Sequence, residues 1–362
     1  MRRSRPTSIR RVAATIVAIV VLPILLTQPA SAGATNTAAT TTDRGKAAAG
    51  WLASRFTNGT HLRSCYRGQC FPDYGLTADA VIGMASSHSA GRAIDRAERW
   101  LAANAPGYIG AKDGTGPYPG AYAKLALTAE VTGRSPAAFG GIDLLAALRA
   151  QQCPHVGCTA GSSGDFRNSL ADGGFPNVIT QSLAIVALSR SGRAADRAAV
   201  PAAVSFLRRQ QCSPTTGYST VFRAGGSCTA EVDATAFAVQ ALLAAGGTPD
   251  RAIGWLARQQ QRDGGFVSNG TENANSTGLA IQALAAAGRR TGAAQRYLAG
   301  LQLGCAAARA AQGAITYDGV RNYQVATALR ATPQGMLGFT RVPLARITAA
   351  GAHPAALRLA CG

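Results

Sequence analysis

The sequence predicts an all-α fold, an α/α toroid of about six helical hairpins whose inner and outer helices form two rings, stapled by disulfides. Three observations carry that reading: an internal repeat, apolar positions recurring at three and four residues, and glycines placed where helices must stop. Each repeat opens with an aromatic or apolar residue, then Leu, then Arg or Ala and paired Gln. Strong copies are Leu148-Arg149-Ala150-Gln151-Gln152, Phe206-Leu207-Arg208-Arg209-Gln210-Gln211 and Trp255-Leu256-Ala257-Arg258-Gln259-Gln260; weaker ones stand at Trp51-Leu52, Trp100-Leu101 and Tyr297-Leu298. The copies recur every 42 to 59 residues or roughly so, which places six units between residues 44 and 344.

Within a unit the first segment carries Arg and Gln on one face, which predicts an outer helix. A glycine-containing loop follows, as at Gly173-Gly174-Phe175, Gly217-Tyr218 and Gly264-Gly265-Phe266. The second segment is rich in Ala and Leu nearly all round, which predicts an inner, buried helix. Three of these second segments align without a gap, starting at Gln181, Thr235 and Thr277 and closing at Leu188, Leu242 and Leu284. Each has a glycine four residues on (Gly192, Gly246, Gly288), where a helix ends in a left-handed turn. An open solenoid of the same hairpins is the alternative arrangement, and pairing Cys305 with Cys361 fits both.

The ends of the chain carry their own signals. Arg2, Arg3, Arg5, Arg10 and Arg11, the apolar stretch from Val12 to Leu26 and the small residues Ala30-Ser31-Ala32 predict a secretory signal over residues 1–32. Ala13 and Ala14 after the arginine pair favour general export over the twin-arginine route. A polar spacer (33–43), the repeat domain (44–344) and a tail (345–362) tied back through Cys361 complete the expected organisation. No segment reaches the roughly 20 apolar residues of a membrane span. Export fits the eight cysteines, which fall as neighbours: Cys65 with Cys70, Cys153 with Cys158, Cys212 with Cys228 and Cys305 with Cys361. Eight thiols allow 105 pairings, but each neighbouring pair shares a loop or a domain end, so sequential bonding is expected. A zinc site fits badly, because the two C-x₄-C pairs lie about 90 residues apart in a chain bound for an oxidising compartment.

The formal charge is +19, carried almost entirely by arginine; Lys46, Lys112 and Lys124 are the lysines. Such a balance favours anionic partners, and outside a cell these include envelope polymers. Nucleic acid is excluded as the expected partner, since no dense basic run exists and aromatics do not interleave with the arginines.

Several motifs resemble those of one superfamily. Gln259-Gln260-Gln261-Arg262-Asp263-Gly264-Gly265-Phe266 resembles the Gln-to-Gly-aromatic motif of terpenoid cyclases and protein prenyltransferase β subunits. Glu231-Val232-Asp233-Ala234-Thr235-Ala236 resembles the Asp-x-Asp-Asp-Thr-Ala motif of squalene–hopene cyclases. Asn273-Ala274-Asn275-Ser276-Thr277 and Asn322-Tyr323-Gln324-Val325-Ala326-Thr327-Ala328 resemble exported bacterial toroids related to cobalamin-binding proteins. The resemblance covers essentially all of residues 44–344 and implies the α/α toroid fold. It implies no single activity, because that fold hosts several.

Asp233 matches the proton-donating middle acid of the cyclase motif, and Glu231 stands for its first acid; Ala234 replaces the third. Such an acid must hold its proton in a dry pocket. The plainer reading of Asp233 is a helix N-cap, which Asn275 in the same column of the next repeat supports. Prenyltransferase chemistry needs a zinc held by Asp, Cys and His, but His61, His88, His155 and His353 are scattered. No metal and no cofactor is expected. Glycosidase chemistry needs two carboxylates facing across a cleft; acids are few, and Asp165, Asp172 and Asp263 sit in glycine-rich loops where Asp favours turns.

In the toroid that the resemblance implies, the inner helices start around the mouth of a central cavity. Helix N-termini there present unpaired N–H groups and partial positive charge. The residues expected at that rim are Thr77 and Asp79, Tyr122 and Lys124, Gln181, Glu231 with Asp233 and Thr235, Asn273 with Asn275 and Thr277, and Asn322 with Tyr323 and Gln324. The expected function is that of a secreted, non-catalytic toroid holding a small amphipathic or anionic ligand, isoprenoid- or corrinoid-like, or an envelope component. The alternatives are an exported cyclase or prenyltransferase-like enzyme with Asp233 as general acid, and a structural or adhesion module.

Overall fold

The computed structural model describes residues 39–361 except 113, 115, 155–157, 159–160, 168–176, 214–215 and 223–227. The expected signal sequence, His155, Asp172 and the Gly173-Gly174-Phe175 loop lie outside the described residues.

The helices are α1 (Arg44–Ala53), α2 (Tyr74–Ser86), α3 (Gly91–Ala103), α4 (Ala105–Tyr108), α5 (Pro119–Val131), α6 (Leu144–Ala150) and α7 (Val178–Arg190), then α8 (Ala194–Arg209), α9 (Val232–Ala244), α10 (Asp250–Arg258), α11 (Ala274–Ala286), α12 (Gly292–Gly300) and α13 (Val325–Thr340). Six of them, α2, α5, α7, α9, α11 and α13, pack each on the next, and α13 returns to α2. The ring is therefore closed, and the solenoid alternative falls. The other long helices form the outer ring. Inner helices bury most of their side chains, as their all-round Ala and Leu require, though the first turn of α13 stays exposed; α3 and α10 are strongly one-sided, with Ile94, Leu101, Ile253 and Leu256 inward and arginines outward.

Short strands decorate the ring. Strands β1 (Thr40–Thr41) and β6 (Arg358–Leu359) pair in parallel and join the two ends of the described chain. Two hairpins, β2 (Arg63–Tyr66) with β3 (Gln69–Pro72) and β4 (Val267–Ser268) with β5 (Thr271–Glu272), precede α2 and α11. The four disulfides join neighbours, as expected. Among the described residues no helix is long and apolar enough to cross a membrane.

The tail does more than its disulfide suggests. After α13 it runs across the C-terminal ends of the inner helices in reverse order. Gln282 on α11 donates to the Val342 carbonyl, Gln240 on α9 accepts from Leu344 N–H, and Arg190 on α7 donates to the Leu344 and Ile347 carbonyls. Ala349 N–H then bonds Val131 at the end of α5, and His353 N–H bonds His88 beyond α2. Leu344 and Ile347 are buried beneath it. The tail thus covers one end of the ring, and the site is sought at the other, where the inner helices begin.

Candidate active site

At the end opposite the tail the six inner helices begin, and their caps alternate. Asp73, Asn177 and Asn273 cap α2, α7 and α11 through their side chains, accepting from Leu76, Thr180 and Ser276 N–H at 2.7–2.9 Å. Tyr118, Glu231 and Gln324 stand at the same position of α5, α9 and α13 and make no side-chain cap.

The recurring column of the sequence has a structural cause. Thr77 accepts from Leu62 N–H, Gln181 from Phe166, Thr235 from Tyr218 and Thr277 from Phe266, all at 2.9–3.0 Å. Each partner is a buried apolar residue of the loop arriving from the outer helix, and each latch side chain is itself fully buried. A buried N–H left unpaired is costly, so the repeat conserves its acceptor along the ring. Thr332 does the same for Ile315 N–H in α13, one turn later, where the sequence column has Ala328. The latches face the loops and not the mouth. The expectation that Thr77, Gln181, Thr235 and Thr277 form a ligand rim is corrected accordingly. Asn273 is a buried cap, and Tyr122 is buried in the core.

Asp79, Lys124, Glu231, Asp233, Asn275, Tyr323 and Gln324 do stand at helix starts and keep part of their surface. Asp79 on α2 and Lys124 on α5 pair with each other at 2.8 Å. Burial works against the Lys124 ammonium, but Asp79, Tyr108 and Asp73 around it hold its pKa above the usual value. Beside this pair a column of rings stacks: His61 on Trp100 at 4.3 Å, Trp100 on Tyr74 at 5.2 Å, and Tyr74 on Tyr108 at 5.7 Å. Sequence reasoning missed this column because its members come from four separate segments. Asn322 bonds Asp318 in the exposed turn ahead of α13.

Asp233 is not the N-cap. Glu231 holds that position, its carboxylate accepting from Thr220 N–H at 2.7 Å, and Asp233 is the second residue of the helix. Its Oδ1 is buried and has no hydrogen-bond partner among the described residues. Burial pushes the carboxyl above the usual carboxylate range; the Ser276 hydroxyl facing it pulls the other way, and the Glu231 charge adds to the rise. Asn275 on α11 donates to Gln334 at 2.7 Å, and its own buried Oδ1 has no hydrogen-bond partner among the described residues. Asp263 serves the turn read from sequence, accepting from Gly265 N–H at 3.0 Å. It also faces Glu272 at the end of β5, whose carboxyl is raised by burial and by the Asp263 carboxyl next to it. Among the described residues no three metal-ligating side chains gather.

No family model matches the sequence, and no curated protein matches it. Solved structures do resemble its fold. A protein from Actinoplanes matches with a TM-score of 0.55 at 17% identity, over 82% of this chain and 98% of its own. The unsaturated glucuronyl hydrolase of Bacillus sp. GL1, responsible for degradation of glycosaminoglycan, matches with a TM-score of 0.54 at 12% identity, over 82% and 95%. The α-1,6-mannanase of Salegentibacter sp. HEL1_6, in an inactive variant bound to α-1,6-mannotriose, matches with a TM-score of 0.54 at 11% identity, over 83% and 100%.

The chain thus has the α/α toroid fold, but these neighbours include glycosidases and not terpenoid cyclases or prenyltransferases. That finding overturns the expected non-catalytic carrier and the terpene-cyclase alternative.

Proposed function

We propose that the protein is a secreted carbohydrate-processing enzyme that hydrolyses glycosidic bonds at the end of its ring where the inner helices begin, with Asp233 as the proton donor. The observation that carries this reading is the Asp233 carboxyl itself: at a helix start, its Oδ1 buried without a hydrogen-bond partner among the described residues, its pKa raised by burial. A carboxyl so held suits a general acid, because it gives up its proton only to a group developing negative charge. The α/α toroid neighbours that are glycosidases support the class of reaction, and the disulfides fit an oxidising compartment.

Glycoside hydrolysis asks for a second carboxylate. Asp79 takes that role in this reading. It lies on α2, three places round the six-membered ring from α9 and so across its axis, and Lys124 fixes its orientation. Asp233 protonates the leaving-group oxygen as the bond to the anomeric carbon breaks. Water adds at that carbon and gives its proton to Asp79.

The test is turnover of a panel of reducing-end-labelled oligosaccharides, neutral and uronate-containing. Wild type should release labelled product, and Asp233→Asn should lower kcat by about 10²–10⁴-fold with its Tm unchanged. Wild-type activity retained in Asp233→Asn would sink the assignment.

A further inference from the structure

The β2–β3 hairpin plays no part in the chemistry above, yet it carries two of the most exposed large apolar side chains described, Tyr66 at 70% and Phe71 at 57%. Its register pairs Ser64 with Phe71 and Tyr66 with Gln69. Paired residues of an antiparallel ladder share a face and successive residues alternate, so Ser64, Tyr66, Gln69 and Phe71 lie on one face and the Cys65–Cys70 bridge on the other.

Ser64 fixes which way that face looks. Its hydroxyl meets Asp73, the cap of α2, and accepts from the Arg330 guanidinium of α13 at 2.8 Å. The aromatic face is therefore turned toward the seam of α2 and α13 at the mouth. Arg330 stays 59% exposed there, and the Arg67 guanidinium lies 5.2 Å from the centre of the Tyr66 ring. Asp73, the acid on this face, is already engaged by Ser64 and Arg330.

We propose that this face is a docking subsite for an anionic polysaccharide, delivering the chain to the mouth; the inference rests on the carbohydrate-processing reading above. Flat aromatic rings offer rigid apolar area matched to the C–H faces of sugar rings. Planar guanidiniums beside them suit carboxylate or other acid groups on the same polymer. The full chain's formal charge of +19 includes five arginines of the expected signal; the balance that remains, about +14, still attracts such a chain from a distance. The rings lie along one face of the hairpin rather than at its tip, Arg67-Gly68, so their apolar area is offered to a chain laid along that face.

The subsite is tested by calorimetric binding of the secreted protein to polygalacturonate, to its methyl-esterified neutral form, and to phosphatidylglycerol vesicles. All variants carry Asp233→Asn so that binding is read without turnover. Polygalacturonate should bind, the neutral polymer should bind at least tenfold more weakly, and vesicles should not bind. Tyr66→Ala with Phe71→Ala, and separately Arg330→Gln, should each weaken polygalacturonate binding at least tenfold. Circular dichroism should show unchanged melting, since the side chains removed are exposed. Undiminished binding in both variants, or binding to vesicles in place of polymer, overturns the proposal. Persistence of turnover in Asp233→Asn would instead sink the catalytic reading and leave the binding result standing.

Discussion

Thr277 shows how much a single hydroxyl can hold. It is fully buried and accepts from Phe266 N–H at 3.0 Å, and Phe266 is itself completely enclosed. Thr277→Val keeps the shape and deletes the acceptor, leaving that N–H unpaired in the core. Denaturant unfolding should show a loss of about 1–3 kcal/mol, and Thr277→Ser should recover most of it. A Val variant as stable as wild type would mean that the column is not a set of latches. Asp233 carries the second residue-scale prediction. As a general acid it must be protonated to act, and its pKa lies above the ordinary carboxylate value through burial. Activity should therefore persist above the range where ordinary carboxyls lose their protons, then fall as pH rises through the raised value. Glu231→Gln removes the neighbouring negative charge and should move that falling limb to lower pH in a kcat profile, while leaving its shape.

Three helical glycines separate close approach from mere flexibility. Gly278, on α11, faces α13 so closely that a Cβ there would sit 2.2 Å from the Gln334 carbonyl oxygen, and Gly338 answers it from α13 at 2.9 Å. These small residues let the last inner helix settle between α11 and α2 and close the ring. Gly254, midway along outer helix α10, would meet only the end of Arg258 at 3.5 Å. Gly278→Ala should therefore destabilise by at least about 1–3 kcal/mol through overpacking, whereas Gly254→Ala should stabilise by about 0.5–1 kcal/mol through helix propensity. Thermal melts of the two variants should move in opposite directions. The elements themselves were legible because alanine content and a three-four apolar period act locally. The Thr77, Thr235 and Thr277 column was legible as a pattern and misread as a rim, since spacing along a helix does not say which way a side chain points. The aromatic column of His61, Trp100, Tyr74 and Tyr108 was hidden for a different reason: the packing of α3 back on α2 and the hairpin before α2 bring those segments together. Asp233 was singled out by motif, but whether it capped its helix depended on where α9 began, one residue after Glu231.

The covered end of the molecule links the tail to a buried acid, and that link gives the whole fold a pH dependence. Arg190 reaches under the tail to the Leu344 and Ile347 carbonyls, with Glu130 of α5 beside it at 3.4 Å. Glu130 is buried, neither of its carboxyl oxygens has a hydrogen-bond partner among the described residues, and burial pushes its pKa up to about 8. Arg190 and Arg193 pull that value down while Asp196 raises it, and burial prevails. In the unfolded chain the same carboxyl titrates near its ordinary 4.5. Between those values the native state holds a proton that the unfolded state has released, so raising the pH favours unfolding. The contribution is complete below pH 4.5 and is lost as pH climbs through about 8. Melting temperatures measured from pH 5 to pH 8.5 should therefore decline for the wild type by more than for Glu130→Gln, whose amide needs no proton. A Gln variant that keeps the full decline would show that other groups set the pH response. If Glu130→Gln lost stability equally at every pH, the carboxylate would be serving Arg190 as a charged partner, and the tail would be held by an ion pair.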